Sequence, residues 1–435
     1  MRIQPFAAWR FNSKVVGDPS MCLSPPYDQF TSGTVARLEA QSPYNIARIV
    51  KAPKISPDET GARYEEARRI LETWVAQRAL TCDAAPGVYP YSQAYSVAGE
   101  RLTRHGFIAL GDLRDTAIRP HEETHRHIRD DRARLRRATA ADFGLVFMVY
   151  SDPSQGIDRF LRDCEATAPL LIAEQPDGSL HRLYGCSDPK RIDGIIKTMS
   201  AFDCVIADGH HRTAAAFDTW QQARDERWAF TMMAFFNAEA PGMTVMPIHR
   251  AVHLSEASRR DPLLERFSGH FDVRRYPIVE RDAGGIAAQM QGLVRERGKS
   301  GRGAIAMVVR DDSAIILLET PADTANWRWP KETSTTGRTL PTAIFETGVL
   351  RGVLQFEEHL IEAGERVEFL KDASAVVESV RSGHNQLGFV LSPTPLDAIF
   401  EMARLRENMP QKSTFFFPKL LTGLTVHRIG TTAGD

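Results

Sequence analysis

The stretch Cys204-Val205-Ile206-Ala207-Asp208-Gly209-His210-His211-Arg212, with Thr213 to Trp220 behind it, limits the fold more than any other part of the chain. Four buried-type residues read as a short strand, Asp-Gly as a tight turn, and the alanine-rich run after Thr213 as a helix. A strand that feeds a helix through two residues requires a fold that mixes both element types. It also brings unpaired backbone N–H groups and the positive end of a helix dipole to one point, which attracts anions.

The side chains at that point extend the reading. Glycine at 209 lets the backbone approach a ligand closely, His210 and His211 exchange protons near neutrality, and Arg212 can grip a phosphate with two N–H groups. Asp208 is placed as a magnesium ligand or a base. The competing view is a capped turn carrying two surface histidines, but convergent titratable groups favour a functional pocket.

Elsewhere the elements alternate. The first 56 residues read as shaped loops around Pro25-Pro26-Tyr27-Asp28 and Ser42-Pro43-Tyr44-Asn45. Helical spacing of Tyr64, Ala67, Ile70, Leu71, Trp74 and Val75 predicts a helix from Asp58, its N-cap, to about Leu80. Val88 to Val97 and Phe107 to Leu110 predict a hairpin turning near Gly99, and Leu145 to Tyr150 a buried strand. Pro120 to Arg137 is predicted as a charged helix with Pro120 in its first turn. Phe230 to Phe236 and Thr244 to Ile248 read as core strands. Residues 255 to 300 show no long apolar run and suggest a soft boundary. Beyond them come a hairpin, Ala304 to Val309 and Ala314 to Leu318, a strand at Leu387 to Leu391, and a helix near Pro395 to Arg406.

At 435 residues the chain exceeds one ordinary core, and 43% hydrophobic with 25% charged residues are globular values. With 54 Lys and Arg against 55 Asp and Glu, the net charge of -1 offers no overall attraction to nucleic acid or anionic membrane. Five scattered cysteines without a C-x-x-C pair read as reduced thiols, and no apolar stretch is long enough for a signal core or a bilayer span. A cytoplasmic protein is expected, acting on small molecules and on neither nucleic acid nor membrane, with a homodimer left open.

Two further constellations carry chemistry. His121-Glu122-Glu123-Thr124-His125 matches the zinc-protease pattern H-E-x-x-H. Against that reading, Arg119 and Pro120 precede it and Arg126, Arg129, Asp130, Asp131, Arg132 and Arg134 follow, more charge than a buried metal helix carries. A solvated, salt-bridged helix is one alternative; a cleft-facing helix with Glu122 or Glu123 as general base or metal ligand is the other. In the tail, Lys412, Ser413 and Thr414 precede three phenylalanines and resemble a phosphate grip without a P-loop's glycines, though a buried edge strand with a polar turn explains them equally well.

Six boxes in order resemble a known family, the bacterial and archaeal domain of unknown function numbered 1015. They are Ser24 to Asp28, Ser42 to Arg48, His121 to Thr124 with Asp131-Arg132, Ile206 to Arg212, Pro247 to Arg250, and Met409 to Lys419. The family's box is H-E-x-T, which makes His125 incidental. The D-G-H-H-R box is in turn similar to the phosphate-binding turn of the ParB and sulfiredoxin superfamily, which includes kinases of free L-serine. The resemblance implies phosphoryl transfer from ATP or ADP, with Mg2+, to a small hydroxyl. Gly209, His210, His211 and Arg212 would then cradle phosphate, Asp208 hold magnesium or substrate, Glu122 or Glu123 act as base, also with Glu122 as a metal ligand, and Lys412 with Ser413 and Thr414 form a second clamp. Lys371-Asp372 departs from the His-Asp pair expected there, and the usual Tyr after Arg212 is replaced by Thr213.

The expected architecture is α+β, or mixed α/β: a ParB/sulfiredoxin-like catalytic region over 1–254 and a second α+β region over 255–435 whose tail, 409–419, returns to the cleft. The expected function is a nucleotide-dependent small-molecule kinase acting on a free amino acid such as L-serine. The alternatives are a nucleotide- or metabolite-sensing regulator of ParB-like fold and a phosphoester hydrolase.

Overall fold

Aromatic and apolar residues at Tyr89 to Tyr95 and Phe107 to Leu110, with a turn between them, produce the longest hairpin among the described residues. Tyr89–Val97 pairs antiparallel with Glu100–Asp112 over its whole length, turning on Ala98 and Gly99, both at positive φ (51° and 83°). Two left-handed residues in succession match the right-handed twist of the strands they join. The second strand is longer than the run Phe107 to Leu110 suggested, because partner hydrogen bonds carry the polar residues Glu100 to Arg104 into the ladder.

The computed structural model describes residues 1–51, 61–254, 260–298, 303–363 and 366–432. They form two units, Met1–Thr244 with Pro418–Asp435, and Val245–Phe417. Residues 245–254 and 418–435 therefore group differently from a division at 254. Helices and strands are mixed throughout, and among the described residues no helix is long and apolar enough to cross a membrane.

A nine-stranded sheet organises the first unit. Its strands are β1 (Ile3–Gln4), β2 (Tyr89–Val97), β3 (Glu100–Asp112), β4 (Ile118–Arg119), β5 (Val146–Tyr150), β6 (Leu171–Glu174), β7 (Leu180–Leu183), β8 (Cys204–Asp208) and β9 (Phe230–Asn237). The spatial order is β4-β8-β5-β9-β3-β2-β7-β6, with β1 on β3. Pairing is antiparallel except β4 with β8 and β5 with β9. The helices are α1 (Ala62–Ala76), α2 (Arg126–Thr139), α3 (Gly156–Glu165), α4 (Pro189–Met199) and α5 (His210–Ala223). The expected N-cap Asp58 lies outside the described residues; α1 starts after Gly61. In the N-terminal segment taken for loops, Ser32–Gln41 is helical, capped by the Thr31 hydroxyl.

Successive strand residues face opposite sides, and both sides are filled. Val146, Met148, Phe107 and Phe235 pack against Ile157, Leu161, Ile192 and Ile195 of α3 and α4. On the other face Phe147 and Phe236 meet at 4.9 Å and hold a buried arginine, Arg104, whose guanidinium lies 4.7 Å and 5.0 Å from their centroids. Arg104 is 1% exposed; its Nε donates to Gln93 Oε1 at 2.7 Å and its Nη2 to the Pro418 carbonyl. Gln93 Nε2 donates to the Lys419 carbonyl at 3.1 Å. The centre of the sheet thus fixes the backbone on which Lys419 is carried.

The second unit is built on an antiparallel sheet of six strands: β10 (His249–Val252), β11 (Asp272–Pro277), β12 (Ala304–Val309), β13 (Ala314–Glu319), β14 (Val367–Leu370) and β15 (Leu387–Leu391), ordered β11-β13-β12-β15-β10-β14. Helices α6 (Ala283–Gly298) and α7 (Ala373–Arg381) cover one face through Ile286, Met290, Val377 and Val380. Phe267, Phe345 and Val349 fill the other. The stretch 255–300 is thus not a bare boundary: its described part holds β11 and α6. Glycines 284, 285 and 292 interrupt a helix whose buried stripe is only Ile286, Ala287, Met290 and Val294, a pattern too sparse to stand out.

Replacing Arg104 by Met keeps an unbranched, bulky side chain but leaves Gln93 and Pro418 acceptors without their donor in a buried setting. Urea unfolding should show a loss of about 2–6 kcal/mol, from two unsatisfied buried acceptors at ~1–3 kcal/mol each.

Candidate functional site

Strand β8 is apolar up to its last residue: Cys204, Val205, Ile206 and Ala207 are at most 4% exposed. Its pairing with β5 runs Val205↔Val149, Ile206↔Met148 and then Asp208↔Phe147, so Ala207 is an extra residue and the strand bulges. Such a bulge re-aims the side chain beyond it. Gly209 follows at φ 101°, a left-handed conformation costly for any residue with a Cβ, and α5 begins at His210 with no side chain capping its first turn. The expected strand, turn and helix are therefore present, with the helix starting inside the box, at His210, and not at Thr213.

Asp208 lies between two cations. Lys419 Nζ donates to its Oδ1 and Arg212 Nη2 to its Oδ2. Burial would raise its pKa, but Lys419 first and Arg212 second outweigh that and hold the carboxyl well below the usual range. Asp208 is therefore an anion saturated by its neighbours. A dication placed there would face two positive groups, so these residues do not fit the expected magnesium site; among the described residues no three His, Cys, Asp or Glu side chains gather to hold a metal ion. The triad carries a net charge of +1 at the positive end of α5, which suits an anion.

Arg212 is threaded between glycines. A Cβ at Gly209 would lie 3.1 Å from its Nε and one at Gly144 3.1 Å from its Nη1. Its Nε is buried and has no hydrogen-bond partner among the described residues. Arg212 lines a small pocket of about 60 Å³ with Tyr27, Arg132, Arg136, Gly144 and Thr422. The Arg132 guanidinium lies 4.2 Å over the Tyr27 ring and donates to the carbonyls of Val50 at 3.0 Å and Lys51 at 2.9 Å. The turn carrying Tyr27 is tied at its root by Asn45, whose Nδ2 donates to the carbonyls of Met21 and Leu23, both at 2.9 Å. The segments Ser24 to Asp28, Ser42 to Arg48 and Asp131-Arg132 thus converge beside Arg212.

His210 faces the other way. Its Nε2 accepts from the His121 backbone N–H at 3.5 Å, which leaves the ring proton on Nδ1, 3.7 Å from Glu122 Oε2. Burial, and next the neighbouring His121, keep His210 neutral. The His121 ring meets it edge-on at 4.6 Å, while His211 stacks on His125 at 5.7 Å. The four residues Gly209 to Arg212 therefore do not form one cradle: at 100° per residue, positions 210 and 212 of a helix point to different sides. Residues 120 to 125 are not helical, since α2 begins only at Arg126. The zinc-protease geometry, two histidines one helical turn apart, is absent from this segment.

Glu122, Glu123 and Thr124 line a cavity of about 580 Å³ with His210, Thr213 and Phe217. Lys412, Ser413 and Thr414 belong to the second unit. There Ser413 is 6% exposed, its Oγ bonded to Thr342 Oγ1 at 2.7 Å and donating to the Pro410 carbonyl at 2.5 Å, while the Lys412 carbonyl accepts from Arg250 at 3.1 Å. Within that unit the departing Lys371 lies 4.5 Å over the Phe415 ring, and Asp372 caps α7. The lysine that reaches Asp208 is Lys419, the last residue of the same tail box; its position behind Phe415-Phe416-Phe417-Pro418 was the available signal.

The chain belongs to the family described as "Protein of unknown function (DUF1015)". The family model matches residues 3–342, which include five of the six boxes. No curated protein matches the chain. Solved structures that resemble it include a free serine kinase in complex with AMP (TM-score 0.36, 11% identity, 71% of this chain and 86% of that one), a conserved hypothetical protein from Pyrococcus furiosus (TM-score 0.35, 11% identity, 72% and 92%), and C-terminally truncated SbnI from Staphylococcus aureus (TM-score 0.34, 8% identity, 74% and 87%).

The buried imidazoles set a pH dependence. Burial holds His121 down to about 4 and His181 down to about 3. In the unfolded chain both titrate near 6.5, so the unfolded state binds more protons and stability falls as pH drops from about 6.5 towards 4, by ~1.4 kcal/mol per pH unit for each ring. Neither ring nitrogen of His121 has a hydrogen-bond partner among the described residues, so His121→Phe should flatten the decline in melting temperature between pH 6.5 and 4.5. An unchanged slope would show that this ring is not buried neutral.

Proposed function

We propose that the first unit is a phosphotransferase that binds ATP or ADP through its phosphates and transfers a phosphoryl group to the hydroxyl of a small acceptor, a free hydroxy amino acid such as L-serine. The observation that carries the reading is Arg212, a half-buried guanidinium lining a pocket with two further arginines, held by an Asp208 already neutralised by Lys419 and set against an uncapped helix start. Backbone N–H groups and a planar donor fork are what a phosphate's oxygens require.

Glu122 is the base in this reading. The acceptor oxygen attacks the terminal phosphorus, the bond to the nucleotide's bridging oxygen breaks, and the hydroxyl proton passes to the Glu122 carboxylate, which the Nδ1–H of His210 orients. Glu123 lines the same cavity but is exposed, which makes it the less suited of the pair. A neutral His210 does not compete for the proton.

Titration calorimetry with ATP and ADP, followed by turnover against a panel of hydroxy amino acids, tests the proposal. Arg212→Lys keeps the charge and loses the fork, and should weaken nucleotide binding about ten- to a hundredfold, as expected for one or two charge-assisted hydrogen bonds. Glu122→Gln should bind nucleotide within a few-fold of the parent while turnover drops by about 10²–10⁴. Nucleotide consumption without any acceptor would instead mark a hydrolase, and absence of nucleotide binding would defeat the proposal.

A further inference from the structure

The cavity beside Glu122 is much larger than a small acceptor needs. Its volume, about 580 Å³, lies within the range of pockets that enclose whole cofactors, roughly 300–1,000 Å³. It follows α5 along one stripe, His210, Thr213, Ala214 and Phe217, the i, i+3, i+4, i+7 spacing of a single helix face. From His210 to Phe217 is about 10 Å at 1.5 Å per residue. The His210 end carries Glu122. The far end carries Phe217, 36% exposed and fixed edge-on by Trp220 at 5.4 Å and 67°.

The lining is of two kinds. Leu113, Ile118, Pro120, Ile206 and Ala214 supply apolar wall, and the charged members are four carboxylates, Asp115, Glu122, Glu123 and Asp218, against one guanidinium, Arg129, which is itself paired to Asp218 at 2.7 Å. Phosphate is repelled by such a wall, whereas an uncharged, flat, hydroxyl-bearing group is not. Carboxylates accept hydrogen bonds from sugar hydroxyls, and an exposed aromatic face stacks on a nucleobase. The phosphates of the same ligand belong on the cationic side, at Arg212 and the start of α5.

We propose that this cavity receives the nucleoside of the phosphoryl donor, with the base on Phe217 and the ribose among the carboxylates other than Glu122, which stays with the acceptor. The inference rests on the nucleotide-binding reading above and assigns its ligand's uncharged half to a separate place. The two faces of α5 thereby divide one nucleotide, the apolar stripe taking the base and the Arg212 face the phosphates.

Calorimetry on the full chain with three probes, ADP, adenosine and inorganic pyrophosphate, separates the two ideas. Phe217→Ser, at a half-exposed position that is safe for folding, should weaken ADP and adenosine about tenfold and leave pyrophosphate unchanged, and Phe217→Trp should restore both. Arg212→Lys should show the converse, weakening ADP and pyrophosphate but not adenosine. Pyrophosphate binding with no adenosine binding, or ADP and adenosine affinities indifferent to Phe217→Ser, would overturn the nucleoside assignment and leave the phosphate site standing. No binding of either ADP or pyrophosphate would defeat the phosphotransferase reading, and adenosine titrated alone would still decide whether the cavity holds a nucleoside.

Discussion

The first unit depends on one half-buried carboxylate, Asp208. Asp208 pairs with Arg212 and Lys419 at once, and without it two cations would be held together at the positive end of a helix with no counter-charge between them. The elements that bring the three together are far apart in sequence: the end of β8, the first turn of α5, and the segment after Pro418. Asp208 therefore acts as a structural counter-ion whose effect is to present cations, which is a different task from holding a metal.

The geometry needed for that task is visible in the backbone. The bulge at Ala207 turns Asp208 out of the sheet's ordinary alternation, and the left-handed Gly209 starts the helix without a capping side chain that would occupy its N–H groups. Gly144 then leaves room for the Arg212 guanidinium from the opposite side. Lys419 is delivered by polar contacts of the sheet face, Arg104 to Pro418 and Gln93 to Lys419. Burial lowers the pKa of Arg104 to about 10, still far enough above neutrality for the guanidinium to remain charged and keep its hold on the tail.

How much of this could be read from the sequence depends on the range of the interaction. Local features were legible: the β8–turn–α5 segment, the β2–β3 hairpin and the β12–β13 hairpin are each set by apolar runs and turn residues within one continuous stretch of chain. So was the coarse content of the site, since the H-E-E-T, D-G-H-H-R and Ser24 to Asp28 boxes do meet in one unit. The helical reading of Pro120 to His125 failed because the charged pattern continues unbroken into α2, and nothing local marks Arg126 as the first helical residue. Lys419 was hidden by a competitor, Lys412, that has the better hydroxyl neighbours in sequence; only the tether of Pro418 and Lys419 to Gln93 and Arg104, more than 300 residues earlier, distinguishes the two.

Helix periodicity explains the remaining surprise. Four consecutive residues, Gly209 to Arg212, look like one cradle when written in a line, yet a helix that begins at His210 must rotate His210 and Arg212 about 200° apart. One side then joins Glu122 and an apolar cavity with carboxylates in its wall, and the other joins Tyr27, Arg132 and a small pocket rich in arginine. A single short box can in this way serve two chemically opposite surroundings. Opposite surroundings on one helix turn are suited to a ligand that is itself half charged and half not.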